Sequence, residues 1–388
     1  MNNLLNPFSF ILPTRIEYGP DVLAKLPQEL AALGITKTLI VTDEGIVKAG
    51  LVAKLTDLLD EAQVSYYIFD EVAPNPKDVN VEAGAKAASQ FGAKAIIALG
   101  GGSPIDCAKA IGALLAHNAT SIKLYEGKTA VNKKIPPLFT IPTTSGSGSE
   151  VTFSAVITDT INNYKMTVKS PLMAATAAFL DPNLTVTLPS HVTAATGMDA
   201  LTHAIEAYTA KVAEPISDGL ALYAIELINN HLKTAVKDGS NLEARAGMLL
   251  GSLLAGLAFS HSDVASVHCM AESLGSLYDA PHGVCNAILL PFVMEYSMEY
   301  CQDRYAQVAK AMGAEFASEA EGAAKAVALV KQLAADVDLP AFKSLQVAEA
   351  DLAILAEMSA ANISTESNPR PMAKDDYLTV FKNAYLAS

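Results

Sequence analysis

Asp199 and His203 stand four residues apart in the stretch GMDALTHAIE, a run whose apolar spacing predicts helix. On a helix, positions i and i+4 share a face about one turn apart, so the carboxylate and the imidazole converge on one point. Two chemistries suit that pair: an ordinary carboxylate–imidazole hydrogen bond, or a divalent cation that would need further donors. Most of the seven histidines lie beyond about residue 184: His191, His203, His231, His261, His268 and His282, with His117 alone before it. His268 lies in SVHCMAESLG, a helical stretch, and His282 in APHGVCNAILLP, where Pro281 and Gly283 mark a loop or a helix start. With Asp199 and His203 they would give one carboxylate and three imidazoles, a set suited to Fe(II), Zn or another divalent first-row ion. A single carboxylate with neutral imidazoles leaves such a cation net positive, and so Lewis-acidic. His261 competes with His268, seven residues before it and on roughly the same face if the helix is unbroken; periodicity does not decide between them. Cys285, three residues after His282, is a rival soft donor, whereas Cys269 would point about 100° away from His268 on a helix.

A second candidate site precedes these residues. The segment AKAIIALGGGSPIDCAKAIGALLA runs from a buried-strand pattern through Gly100, Gly101 and Gly102 into a helix. Ser103 reads as the N-cap, Pro104 as the first helical residue and Asp106 as a shortened capping-box acid. Glycines allow close backbone approach, and the exposed N–H groups with the helix dipole favour an anion such as a pyrophosphate. The spacing is not G-x-G-x-x-G. Asp43, after the strand-like KTLIVT, can accept hydrogen bonds from ribose hydroxyls, and its charge would repel a 2′-phosphate, which favours NAD over NADP. Thr143, Thr144 and Ser147 in IPTTSGSGSE offer hydroxyls among glycines at another strand end.

The elements that must carry these residues divide the chain. Short runs rich in Val, Ile, Leu and Tyr alternate with helical patterns such as AGLVAKLTDLLDEA up to about residue 184, which predicts an α/β dinucleotide-binding domain with a parallel sheet over 1–184. Beyond DPNLTVTLPS the pattern is Ala- and Leu-rich helix, which predicts an all-α domain over 185–388. A chain of 388 residues, 51% hydrophobic, is long enough for two such cores. Its net charge of -14, with no basic run, argues against nucleic-acid and membrane-surface partners. The amino terminus carries no signal-peptide pattern, and Cys107, Cys269, Cys285 and Cys301 show no C-x-x-C pairing, so free thiols in the cytoplasm are expected. The apolar stretch AGMLLGSLLAGLAFS is shorter than a membrane span and reads as a buried helix.

These motifs together resemble the iron-containing (group III) alcohol dehydrogenases, lactaldehyde reductases and 1,3-propanediol dehydrogenases among them. The likeness covers nearly the whole chain, through PNP at Pro74 to Pro76, GGGSPID, IPTTSGSGSE, ATGMDALTHAIEAY, APHGVCNAILLP and NPR at Asn368 to Arg370. The resemblance implies a dehydroquinate synthase-like fold, NAD, and a metal, Fe(II) before Zn, on Asp199, His203, His268 and His282. It puts the pyrophosphate loop at Gly101, Gly102 and Ser103 near Asp106, the ribose acceptor at Asp43, and Asn75, Thr143, Thr144, Ser147 and Lys165 along the cofactor cleft. His282 and Glu272 are the candidate catalytic residues. Glu272 is a departure, since many relatives carry histidine there, and its charge would alter either the proton path or the preference among charged substrates. The implied reaction is hydride transfer between NAD(H) and a short primary alcohol or diol and its aldehyde, in a homodimer or larger homo-oligomer. The alternatives are glycerol dehydrogenase-like polyol oxidation, a dehydroquinate synthase-like sugar-phosphate lyase, whose basic phosphate ligands the helical half lacks, and a non-catalytic assembly subunit, which would be expected to have lost a ligand.

Overall fold

The computed structural model describes residues 5–387. They form two compact units, one of Ile11–Thr144 with Ser149–Leu188, the other of Ser145–Gly148 with the chain from Pro189 onward and the amino-terminal stretch to Phe10.

The first unit is built on a six-stranded parallel sheet in the order β1-β8-β5-β4-β2-β3, with β1 Arg15–Tyr18, β2 Lys37–Val41, β3 Ser65–Phe69, β4 Ala95–Gly100, β5 Leu138–Pro142 and β8 Ala177–Leu180. A separate antiparallel pair, β6 Ser154–Asp159 and β7 Tyr164–Lys169, completes it. Alternation of side chains along β4 sends Ile97 and Leu99 into one apolar cluster and Ile96 and Ala98 into the other, so both faces of the sheet are covered. Helices α1 (Leu26–Ala32) and α3 (Leu51–Glu61) pack on the first face, and α4 (Asp78–Phe91) and α5 (Gly102–His117) on the second; the short α2 (Glu44–Lys48) follows β2. Strand order reverses between β2 and β4, and loops at such a switch point form the usual ligand crevice of open α/β sheets. The sequence reading of this half found β2 to β5 and missed β1, β8 and the β6–β7 pair. Two of these are only four residues long, too short to display a period.

The second unit is all helix, as expected: α6 (Ser190–Thr209), α7 (Pro215–Lys237), α8 (Leu242–Ser262), α9 (Ser266–Tyr278), α10 (His282–Ser297), α11 (Gln302–Ala311), α12 (Glu319–Asp336), α13 (Leu352–Ala360) and α14 (Lys374–Leu386), with short 3-10 turns. Local chemistry sets the starts. Glu214 accepts from the amides of Ile216 and Ser217 at 2.8 Å each, with Pro215 as the first residue of α7, and Asn241 accepts from Ala244 N at 2.9 Å to begin α8. Every residue of α6 from Gly197 to Thr209 is buried, so this helix is enclosed on all sides rather than amphipathic. Helix α8, at 21 residues, is long and apolar enough to cross a bilayer by length and composition, more than its 15-residue apolar stretch suggested. It is a core helix, mostly buried and packed on α6 and α7.

Two backbones touch within this unit. Gly148, at φ +59, lies so close to α8 that a Cβ would come within 2.5 Å of Gly256 Cα. Neither a positive φ nor that contact suits a side chain. Gly148→Ala is therefore expected to cost about 3 kcal/mol, from overpacking plus backbone strain. Urea unfolding would measure it, and a loss below about 0.5 kcal/mol, the scale of a neutral surface change, would show that the contact relaxes freely.

Candidate active site

Three helices bring the histidine and carboxylate candidates together. Helix α6 supplies Asp199 and His203, α9 supplies His268 as its third residue, and α10 supplies His282 as its first. One donor atom from each of the four lies within 4.8 Å of the others. His203 Nδ1 and His282 Nε2 stand 4.0 and 3.8 Å from Asp199 Oδ1, and the His268 ring centroid lies 4.4 Å from that of His203 and 5.3 Å from that of His282. Asp199, His203 and His268 are buried, and His282 is partly exposed. Phe259 of α8 stacks on His203 at 4.5 Å, closing that side with an apolar ring.

His261 is not part of the group. Helix α8 stops at Ser262 and Asp263, at φ 69, turns the chain before α9, so the face that would have linked His261 to His268 is interrupted. His261 instead meets the Leu257 carbonyl at 2.8 Å and stacks on Phe10 at 3.9 Å. Cys285 is buried outside the group, and Cys269 accepts from Thr365 Oγ1.

Two residues that sequence reasoning passed over hold the group in place. Glu206 of α6, 3% exposed, accepts from Ala265 N at 3.0 Å, Val267 N at 2.7 Å and His268 Nδ1 at 2.5 Å. That fixes the proton of His268 on Nδ1 and leaves Nε2 as a lone-pair donor. The signal was present, because Asp199, His203 and Glu206 fall at i, i+4 and i+7 on one helix face. Asn286, fully buried and one turn after His282 on α10, donates through Nδ2 to Asp199 Oδ1 at 2.7 Å and approaches Nε2 of His268 and His282 at 3.0 and 3.2 Å. Three lone pairs therefore converge on one donor.

The electrostatics match that geometry. Burial pushes the His203 pKa down to about 4 against the opposing pull of Asp199, so its ring is neutral at neutral pH. Burial works against the Asp199 carboxylate, but His203, His282 and His268 with the Asn286 amide hold it below its ordinary value. Burial disfavours the charged form of His268 as well; Glu206, Asp199 and Glu272 outweigh it and raise the ring's pKa. The donor set fits a divalent ion: four mixed nitrogen and oxygen donors at one point, with His203 Nδ1 and Asn286 Oδ1 buried and lacking hydrogen-bond partners. Glu272 follows His268 by one turn, and its carboxylate accepts from Asn362 Nδ2 at 2.6 Å.

In the α/β unit the glycine loop opens as expected but starts its helix differently. Gly101, not Ser103, is the N-cap of α5, with extended backbone and no side-chain cap, and the helix runs from Gly102. Ser103 and Pro104 thus sit inside the first turn, where a missing proline N–H costs nothing. Asp106 is no capping acid either, since it accepts from Ser149 Oγ and, at 2.9 Å, from Val156 N, anchoring α5 to β6. The first-turn amides therefore have no side-chain acceptor of their own and suit an anion. Gly100, at φ +149, makes the turn; Thr143 N donates to its carbonyl at 3.0 Å, and a Cβ on Gly101 would meet Thr144 Oγ1 at 3.1 Å. Asp43 follows β2, with one carboxylate oxygen capping α2 through Ile46 N at 3.0 Å. Lys165 Nζ on β7 donates to Asn75 Oδ1 at 2.8 Å. Ser147 falls in Ser145–Gly148, which belongs to the helical unit, whereas Thr143 and Thr144 belong to the α/β unit.

The switch-point α/β sheet with its open helix start suits an anionic ligand, and the helical unit's carboxylate and three imidazoles suit a divalent ion. Residues 13–182 match the iron-containing alcohol dehydrogenase domain, and residues 193–385 match the carboxy-terminal domain of the Fe-containing alcohol dehydrogenase family. The chain is 39% identical to 1,3-propanediol dehydrogenase of Klebsiella pneumoniae, over 97% of this chain and 99% of the relative. It is also 39% identical to choline dehydrogenase of Bacillus subtilis (strain 168), over 97% and 95%. Its fold superposes on the crystal structure of a 1,3-propanediol oxidoreductase with a TM-score of 0.95, at 39% identity, covering 98% of this chain and all of the other. The chain belongs to the iron-containing alcohol dehydrogenase family.

Two outcomes follow from the buried groups. Glu206→Ala strands two backbone N–H groups and the His268 Nδ1 proton, and should cost the metal-free protein about 3 to 5 kcal/mol in guanidinium unfolding; a cost below about 1 kcal/mol would mean that water replaces the carboxylate. The second concerns pH. Between the ordinary 6.5 and the 4 of folded His203, the unfolded chain binds more protons at this site, so His203 removes stability as pH falls through that window. Unfolding midpoints of metal-free His203→Asn should therefore decline less steeply from pH 6.5 to 4 than those of the parent, and parallel slopes would reject the assignment.

Proposed function

We propose that this protein is an NAD-dependent alcohol dehydrogenase and aldehyde reductase acting on a short primary alcohol or diol and its aldehyde. The observation that carries the reading is the convergence of Asp199, His203, His268 and His282 in a chain of this family. The substrates named for its relatives, 1,3-propanediol and choline, are both small primary alcohols.

Asp199, His203, His268 and His282 would hold the ion, Fe(II) in first place and Zn in second, with residues 185–388 as the metal-binding and catalytic domain. A divalent ion bound there supplies Lewis acidity that favours loss of the alcohol proton. Glu206 keeps His268 in the tautomer that presents Nε2, and Phe259 excludes water from the His203 side. His282, the partly exposed member, and Glu272 are the proposed catalytic residues at the solvent edge of the group. Residues 1–184 form the proposed NAD-binding domain. Gly101, Gly102 and Ser103 offer backbone donors to the pyrophosphate, and Asp106 fixes that helix start. Asp43 keeps an acceptor for the ribose and favours NAD over NADP through its charge. Asn75, Thr143, Thr144, Ser147 and Lys165 are proposed to line the remaining cofactor surface. A cytoplasmic location is supported by four free, buried thiols, and the absence of nucleic-acid or membrane partners by the net charge of -14. Assembly as a homodimer or larger homo-oligomer rests on the family resemblance.

The test is oxidation of NADH with a panel of short aldehydes by protein stripped of metal and reloaded separately with Fe(II) and Zn. Turnover should return with metal and fall at least about a hundredfold in His268→Ala. Metal-independent turnover, or none with any aldehyde while NAD still binds, would overturn the reading.

A further inference from the structure

Glu272 sits where α9 passes the metal-ligating face. It lies one turn beyond His268, so the two side chains emerge on the same side of the helix, roughly 5–6 Å apart at their Cβ atoms. Asn362, in the turn after α13, fixes its carboxylate by a hydrogen bond of 2.6 Å. Glu272 is half-buried. Its charge is felt at the group of four: the ring of His268 is influenced by Glu206, Asp199 and Glu272, and all three are acids. A negative potential at the mouth of a partly desolvated site attracts cations and repels anions more strongly than the same charge in open water.

From this arrangement we infer that Glu272 is a specificity-determining residue that selects alcohols and aldehydes carrying a positive charge, amino or quaternary ammonium alcohols, over neutral and anionic ones of the same size. The inference rests on the dehydrogenase reading and narrows its substrate class. Glu272 acts through its charge on the substrate's remote end. The hydride balance is that of any alcohol oxidation, with NAD reduced as the carbinol carbon is oxidised.

Choline and its neutral carbon isostere 3,3-dimethyl-1-butanol separate charge from shape, so the ratio of their kcat/KM values reads the charge alone. The parent protein should favour choline by about tenfold, and Glu272→Gln should bring the ratio to about one, whatever it does to the common rate. Glu272→Asp, which keeps the charge, should retain most of the preference. Asn362→Ala, which releases the carboxylate without removing it, should give an intermediate ratio and serves if Glu272→Gln does not fold. Calorimetric binding of choline and of the isostere to the NAD-loaded protein should show the same change without turnover. An equal ratio in parent and Glu272→Gln, or a parent that favours the isostere, overturns the inference. A uniform loss with both alcohols, ratio unchanged, also overturns it and places Glu272 on a step common to all substrates. Absence of turnover with either alcohol and with neutral short aldehydes overturns the dehydrogenase reading itself.

Discussion

The carboxylate of Glu206 is the constraint on which the helical unit's chemistry depends. It is buried, and it accepts from two backbone amides at the start of α9 and from the imidazole that α9 carries. One side chain therefore sets where α9 begins, how it meets α6 and which nitrogen His268 presents. A buried carboxylate without such partners would bear a desolvation cost of several kcal/mol, so the three donors and the acid require one another. Asn286 performs a similar service from α10, with a neutral amide that tolerates the interior better than a charge.

The α/β unit solves its binding problem by other means. Where the helical unit concentrates ionisable side chains and must fix each of them, the glycine loop offers only backbone. Its donors are the amides of a helix start whose cap residue has no side chain to occupy them. The side chains nearby serve as scaffolding: Asp106 anchors α5 to β6, and the wholly buried Lys109 reaches Ser149, Thr152 and the Ser154 carbonyl within 2.9 Å. Precision there comes from the sheet, because Gly100 and Pro142 are register partners on neighbouring strands.

Much of this was legible in the sequence, for reasons that differ by residue. The pair Asp199–His203 announces itself through helical spacing, and the alternation of strand and helix patterns up to residue 184 describes an α/β domain followed by helices. Choosing His268 over His261 was beyond periodicity, because the break at Asp263 has no glycine or proline to mark it. Ser103 before Pro104 imitates a helix start, but the glycines ahead of it let the helix begin two residues sooner. Glu206 and Asn286 were readable as same-face neighbours of ligands. Residues that position donors are nonetheless ordinary acids and amides in a sequence, and only the tertiary contact gives them that role. The short strands escape for two reasons: β8 is the uniformly apolar AAFL, and the alternation of the edge strand β1, RIEY, lasts only four residues.

The meeting of Gly148 with Gly256 also bears on how this sequence can drift. Each glycine occupies the space that the other's Cβ would need, with a Cβ on Gly256 coming within 2.8 Å of Gly148 Cα. Neither position can accept a side chain while the other keeps its backbone in place, so no single substitution leads away from the pair without passing through a strained intermediate. Each glycine is thus required for as long as the other's backbone keeps its place, which ties the loop following β5 to the course of α8.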